Sequence, residues 1–136
     1  MILPDRKDAI HKAWLYRVLE AIADDPLLPR VLFFKGGTCA SMLGWLDRFS
    51  VDLDFDYAGT QEEITRTRSA LLNVCDGLGL TVKDASMRGI QYLLKYEHAG
   101  RNTLKVAASF PLFTSSTYAP QMLRELDRFL TCQPRA

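Results

Sequence analysis

The sequence has no charge imbalance to speak of. Its 136 residues carry 17 Lys and Arg against 16 Asp and Glu, a net charge of +1. A global basic field that would gather nucleic acid is therefore excluded, although local basic patches are not. Cysteine is scarce: Cys39, Cys75 and Cys132 are odd in number and widely spaced. No CxxC pair or Cys/His cluster suggests zinc, and no disulfide framework is implied. A reducing cytoplasm is the expected compartment. The two histidines, His11 and His98, have no metal-ligand partner at useful spacing, and both read as solvated. The start, MILPDRKDAI, lacks the apolar run of a signal peptide. No stretch approaches the roughly 18 apolar residues of a membrane span. Internal repeats and low-complexity segments are also missing.

What is present is ordinary globular composition, 48% hydrophobic and 24% charged. Such a chain folds rather than staying disordered, and its length suits a single domain over 1–136 with a modest core. Residues 5–24 read as a helix, with Asp5 as N-cap and Ile10, Trp14, Val18 and Ile22 in one apolar stripe. Asp24, Asp25 and Pro26 stop it, and Pro29 predicts an extended linker. Val31 to Phe34 reads as a buried strand. Thr38 is expected to cap a short helix that runs to Leu43 and ends at Gly44. Val51 to Tyr57 alternates, with Val51, Leu53 and Phe55 on one side and Asp52, Asp54 and Asp56 on the other. Gln61 to Leu78 reads as a second amphipathic helix. Strands follow over Leu80 to Lys83, Ile90 to Glu97 and Leu104 to Phe110, the last two joined by a turn at residues 98–102. Pro111 to Pro120 reads as a loop, and Arg124 to Cys132 fits either a helix or a strand. The order α-β-α-β-α-β-β-β predicts an α/β or α+β fold with a small mixed sheet flanked by helices.

Two features in residues 33–56 carry chemistry. The first is Lys35-Gly36-Gly37-Thr38 at a strand-to-helix turn. Glycines let backbone amides approach a phosphate, and a helix N-terminus favours anions. Thr38 adds a hydroxyl and Lys35 a positive charge. The second is Asp52-Leu53-Asp54. On a strand, residues i and i+2 share a face about 6 to 7 Å apart, which lets two carboxylates embrace divalent cations. Magnesium or manganese would then be shared with substrate phosphates, and phosphoryl-type transfer needs mainly such positioning. Either feature alone has a bland reading, a tight turn or a solvated acidic face. Three like charges on one face repel, however, and a metal or a basic partner relieves that repulsion. Lys105, in an otherwise apolar strand, is either solvent-facing or a phosphate contact. Cys39 and the aromatic residues Trp14, Phe33 and Phe34 read as core. Trp45, in the loop between the two features, is the one aromatic with a possible stacking role.

GG, a short helix and then DxD resembles the polymerase-beta-like nucleotidyltransferase superfamily. The longer string, KGGT at 35–38, Arg48-x-Ser50 and Asp52-Leu53-Asp54-Phe55, looks specifically like the AbiEii/AbiGii toxin family. This resemblance implies a nucleotidyltransferase fold and transfer of a nucleotidyl group from a nucleoside triphosphate to RNA or protein. It also implies the toxin role of a type IV toxin–antitoxin system, with a cognate antitoxin as partner. By it, Gly36, Gly37 and Thr38 would contact the triphosphate, and Asp52 and Asp54 would bind metal. Lys35, Arg48 and Ser50 would support the nucleotide, and Lys105 would join the catalytic set.

The resemblance also exposes departures. A third carboxylate is expected in a string like K-V-E-I-S, and the matching segment, Leu104 to Ser109, has Ala107 at that place. Asp56 and Glu97 are the substitutes to consider. The helical half that the family carries beyond residue 132 has no match, which invites dimerisation of the chain. Two functional readings therefore stay open: an active nucleotidyltransferase, or a catalytically incomplete remnant that binds nucleotide or a partner.

Overall fold

The computed structural model describes residues 6–43, 52–87, 89–96, 103–110 and 118–132. Helix α1 spans Arg6–Asp24. Its buried stripe runs through Leu15, Val18, Leu19 and Ile22, joined by His11. That stripe is rotated by one residue from the one centred on Trp14, which is only partly buried. His11 is fully buried, not solvated, and its Nδ1 lies 2.6 Å from the Tyr96 hydroxyl. An imidazole can enter a core in this way because a polar partner replaces water.

After α1 the chain does not stay extended. Residues Leu28–Val31 form a single helical turn, α2, with Pro29 in its first turn. Proline suits that place, since the N–H it lacks has no helical acceptor there. Asp25 holds the turn by accepting from the backbone N–H groups of Leu27 and Leu28, at 2.8 and 2.9 Å.

Strand β1, Leu32–Lys35, leads directly into helix α3, Gly36–Met42. Strand β2 is Leu53–Tyr57. Helix α4, Ile64–Gly77, is entered through a 3-10 turn, Gln61–Glu63, where Thr60 and Glu63 form a reciprocal capping box. Strands β3 (Thr81–Ala85), β4 (Ile90–Lys95) and β5 (Thr103–Ser109) follow. The 98–102 turn lies outside the described residues, but β4 and β5 pair antiparallel from Lys95↔Thr103 to Ile90↔Ala108.

The last region is a hairpin: of the two readings open for Arg124 to Cys132 the strand holds, while its partner strand falls partly in the segment read as a loop. Strand β6, Ala119–Leu123, pairs antiparallel with β7, Arg128–Cys132. Asp127 turns the chain at φ 53, a left-handed conformation that aspartate tolerates better than most residues. Pro120 is compatible with β6 because β6 is the sheet edge and needs no outer hydrogen bond.

The strand order is β3-β4-β5-β2-β1-β7-β6. β2 runs parallel to β5 and β1 parallel to β7, while β1 and β2 are antiparallel. The sheet is thus mixed, as expected. Leu32, Phe34, Leu53, Phe55, Tyr92, Leu94, Leu104 and Val106 face the helices and form the core with α1 and α4. The alternating residues Lys35, Asp54, Asp56, Lys105 and Ala107 share the opposite face. No described helix is long and apolar enough to cross a membrane.

Candidate active site

The site is built where β1 ends. Gly36 adopts φ +82, a conformation natural to glycine and strained for other residues. A Cβ at Gly36 would lie 3.2 Å from an Asp54 carboxylate oxygen and 3.3 Å from the Asp54 Cβ. The turn thus packs directly on the acidic strand, and only a glycine leaves that carboxylate its place. Thr38 does not cap α3, whose N-cap position is Lys35. Its buried hydroxyl donates instead to the Asp52 carbonyl oxygen. This bond ties the first turn of α3 to the start of β2 and fixes the two sequence features relative to each other.

Asp52 and Asp54 are both half-buried. Burial pushes the Asp54 carboxyl above the usual carboxylate range, and the neighbouring Asp52 charge adds to this. Lys105 and then Lys35 oppose the shift. Each of those ammonium groups is therefore close enough to act on Asp54, one from β5 and one from β1. Lys105 sits on β5 two residues before Ala107, on the same sheet face as Asp54.

Asp56 has a different task. It is 4% exposed. Lys35 Nζ lies 2.7 Å from its Oδ1, and the Tyr118 hydroxyl donates to its Oδ2 at 2.6 Å. Tyr118 in turn packs on Phe33, with ring centroids 4.8 Å apart. A carboxylate satisfied on both oxygens in this way is a structural anchor rather than a free metal ligand. Phe33 accordingly lies on the site face of β1, while Phe34 is core against Phe55.

The strand beside Asp54 offers it no acid in register. In the parallel β2–β5 pair Asp54 stands opposite Ala107. Among the described residues, no group of three or more His, Cys, Asp or Glu is arranged to hold a metal ion. Arg48, Ser50, Trp45 and Glu97 lie outside the described residues. Gly37, within the same turn, is half-buried beside Thr38. Tyr118 is the site residue that sequence reasoning missed. It follows a Ser/Thr/Pro-rich stretch and has no pattern of its own, so only the return of β6 to the sheet brings it to Asp56.

Behind the turn, Cys39 and Cys132 are buried side by side. Cys39 hydrogen-bonds to Cys132, which together with burial raises the Cys39 thiol far above its ordinary range. Its place just after the GGT turn therefore does not activate it.

The glycine turn packs on Asp54, with Lys35 on the adjoining strand. Residues 17–127 match the Nucleotidyl transferase AbiEii toxin family, described as a type IV toxin–antitoxin system. The chain belongs to the AbiEii family. No curated protein matches it. Solved structures share the AbiEii chain's fold. A Helicobacter pylori protein described as a nucleotidyltransferase has a TM-score of 0.57 and 20% identity over 96% of this chain and 55% of its own. MenT4, a nucleotidyltransferase toxin of Mycobacterium tuberculosis H37Rv, has a TM-score of 0.52 and 22% identity over 95% of this chain and 49% of its own. The antibiotic-resistance factor ANT(2'')-Ia has a TM-score of 0.53 and 17% identity, covering 93% and 66%. The chain thus spans about half the length of the Helicobacter pylori and Mycobacterium tuberculosis proteins it resembles.

Proposed function

We propose that this AbiEii-family chain binds a nucleoside triphosphate with a divalent cation and transfers a nucleotidyl group to an acceptor, RNA or protein. Its biological setting would be that of a toxin held in check by a cognate antitoxin. The observation that carries this reading is the seating of Gly36 on Asp54. It brings the backbone of the glycine turn against one carboxylate of the acidic strand, where a Cβ at Gly36 would lie only 3.2 Å from an Asp54 oxygen, and this closeness supports the reading.

Each residue then has a task. Asp52 and Asp54 would supply hard oxygen ligands for a divalent cation, which would neutralise phosphate charge as the new bond forms. The backbone amides of Gly36 and Gly37 donate to phosphate oxygens. Lys105 brings positive charge to the departing phosphates. Lys35, held by Asp56, keeps its ammonium near Asp54 rather than free to follow the substrate. Thr38 fixes the spacing between turn and acids through the Asp52 carbonyl. Arg48 and Ser50 are proposed nucleotide contacts on the resemblance alone.

A second reading, nucleotide binding without turnover, is favoured by Ala107, since an alanine beside Asp54 offers neither a ligand nor a base. Incubation with labelled triphosphates and total RNA separates the two. Label transferred to RNA or to protein, and absent with Asp54→Asn, supports transfer. Metal-dependent nucleotide binding with no label transferred supports binding alone. No nucleotide binding overturns both.

A further inference from the structure

Among the described residues, Asp54 has two carboxylates beside it, Asp52 just before β2 and Asp56 on it, and two ammonium groups near it, Lys35 and Lys105. One of the three, Asp56, has both oxygens taken, by Lys35 at 2.7 Å and by Tyr118 at 2.6 Å, and it is 4% exposed. Releasing it to a cation would strand Lys35 and the Tyr118 hydroxyl together, a costly exchange for a buried pair. Glycine 36 closes on Asp54 from the α3 side. On the β5 side, the residue in register with Asp54 is Ala107. Two residues back on the same face of β5 stands Lys105, whose charge acts on Asp54. Two divalent cations would bring four positive charges to the two carboxylates left available among the described residues, already flanked by two ammonium groups. Paired cations in two-metal sites sit about 3.5 to 4 Å apart and need shared acidic ligands between them to offset their repulsion.

We infer that this site takes up a single divalent cation per nucleotide, held by Asp52 and Asp54 together with the triphosphate, and that Lys105 supplies the positive charge on the β5 side beside Ala107. The inference rests on the nucleotide-binding reading above and adds a cation count to it. The count is set by one position. Ala107 is half-buried and alternates with the core residues Val106 and Ala108, so a side chain there points away from the core.

The test uses Mn2+ as the probe, with a non-hydrolysable triphosphate analogue kept below the concentration of the full chain. Free Mn2+ is counted by electron paramagnetic resonance, and bound nucleotide is measured separately by equilibrium dialysis. Wild type is expected to saturate at one Mn2+ per bound nucleotide, and Ala107→Asp at two. Circular dichroism checks that the variant folds, and Ala107→Glu serves if it does not. Lys105→Ala is expected to weaken nucleotide binding about tenfold, as loss of a charged hydrogen-bond donor does, with the count still one. Two Mn2+ per nucleotide in wild type overturns the inference while leaving the nucleotide-binding reading intact. A count that stays at one with an acid at 107 overturns the part assigned to Ala107. Absence of nucleotide binding by wild type overturns both the inference and the reading beneath it.

Discussion

Asp54 and Ala107 stand opposite each other in the parallel β2–β5 pair, so the strand beside Asp54 presents a methyl group to it and not a second carboxylate. On its other side Asp54 meets Gly36, close enough that no Cβ fits without moving the carboxylate. The acid is thus shaped by what its neighbours lack.

Gly36→Ala is the direct check on that packing. The substitution forces an alanine to φ +82 and sets its Cβ 3.2 Å from the Asp54 carboxylate. The expected cost is about 1 to 2 kcal/mol of stability from the left-handed conformation. Urea unfolding reads the stability, and calorimetry reads a loss of metal-dependent triphosphate affinity. Unchanged affinity would mean that the turn does not position Asp54.

The Lys35–Asp56 pair is nearly buried, with the two side chains 26% and 6% exposed. Removing the lysine alone as Lys35→Met leaves an uncompensated carboxylate and is expected to cost about 3 kcal/mol. Adding Asp56→Asn to it should return part of that loss, a coupling that a double-mutant cycle measures. Additive costs would show that the two groups do not interact.

Tyr118 gives an alkaline signature. Burial, and then its hydrogen bond to Asp56, push its hydroxyl up to about 12 from an ordinary 10. Because the folded value lies above the unfolded one, the stabilisation is full below about pH 10 and is lost as pH rises toward 12. Tyr118→Phe should flatten that part of the pH–stability curve. It should also cost about 1 kcal/mol at neutral pH, where Asp56 loses a donor. Chemical denaturation from pH 8 to 12 reads both effects.

The three free thiols are predicted to be inert in the folded chain. Cys39, Cys75 and Cys132 are all buried, and burial pushes the Cys75 thiol up to about 11. Iodoacetamide at pH 8 should label none of them in native protein and all three in guanidinium chloride, as counted by mass spectrometry. Rapid native labelling of Cys39 would contradict its packing against Cys132.

Much of the site was legible because its residues obey local rules. The alternation from Val51 to Tyr57 puts Asp52, Asp54 and Asp56 on one face whatever the rest of the chain does, and the glycine pair marks the turn. The distinct task of Asp56 was not legible, because its partners come from β1 and from Tyr118, 62 residues away in the chain. The β6–β7 hairpin was only half legible for a related reason. Leu123, Leu126 and Leu130 recur at helical spacing, and the hairpin forms because β7 pairs with β1 and buries Leu130 and Cys132. Pro29 misled because a proline that opens a helical turn and one that extends a linker look alike without Asp25 in view.

In the function proposed above, Asp52 and Asp54, set by the glycine turn, bind a nucleotide through a divalent cation. Calorimetric titration of a nucleoside triphosphate into the chain, with and without magnesium, tests it most directly when repeated on the Asp52→Ala, Asp54→Ala double variant. Binding is expected to require magnesium and to weaken by more than about tenfold in the variant, since even indirect support of a metal ligand is worth that much. Binding that ignores both magnesium and the two substitutions, or no binding by wild type, would contradict it.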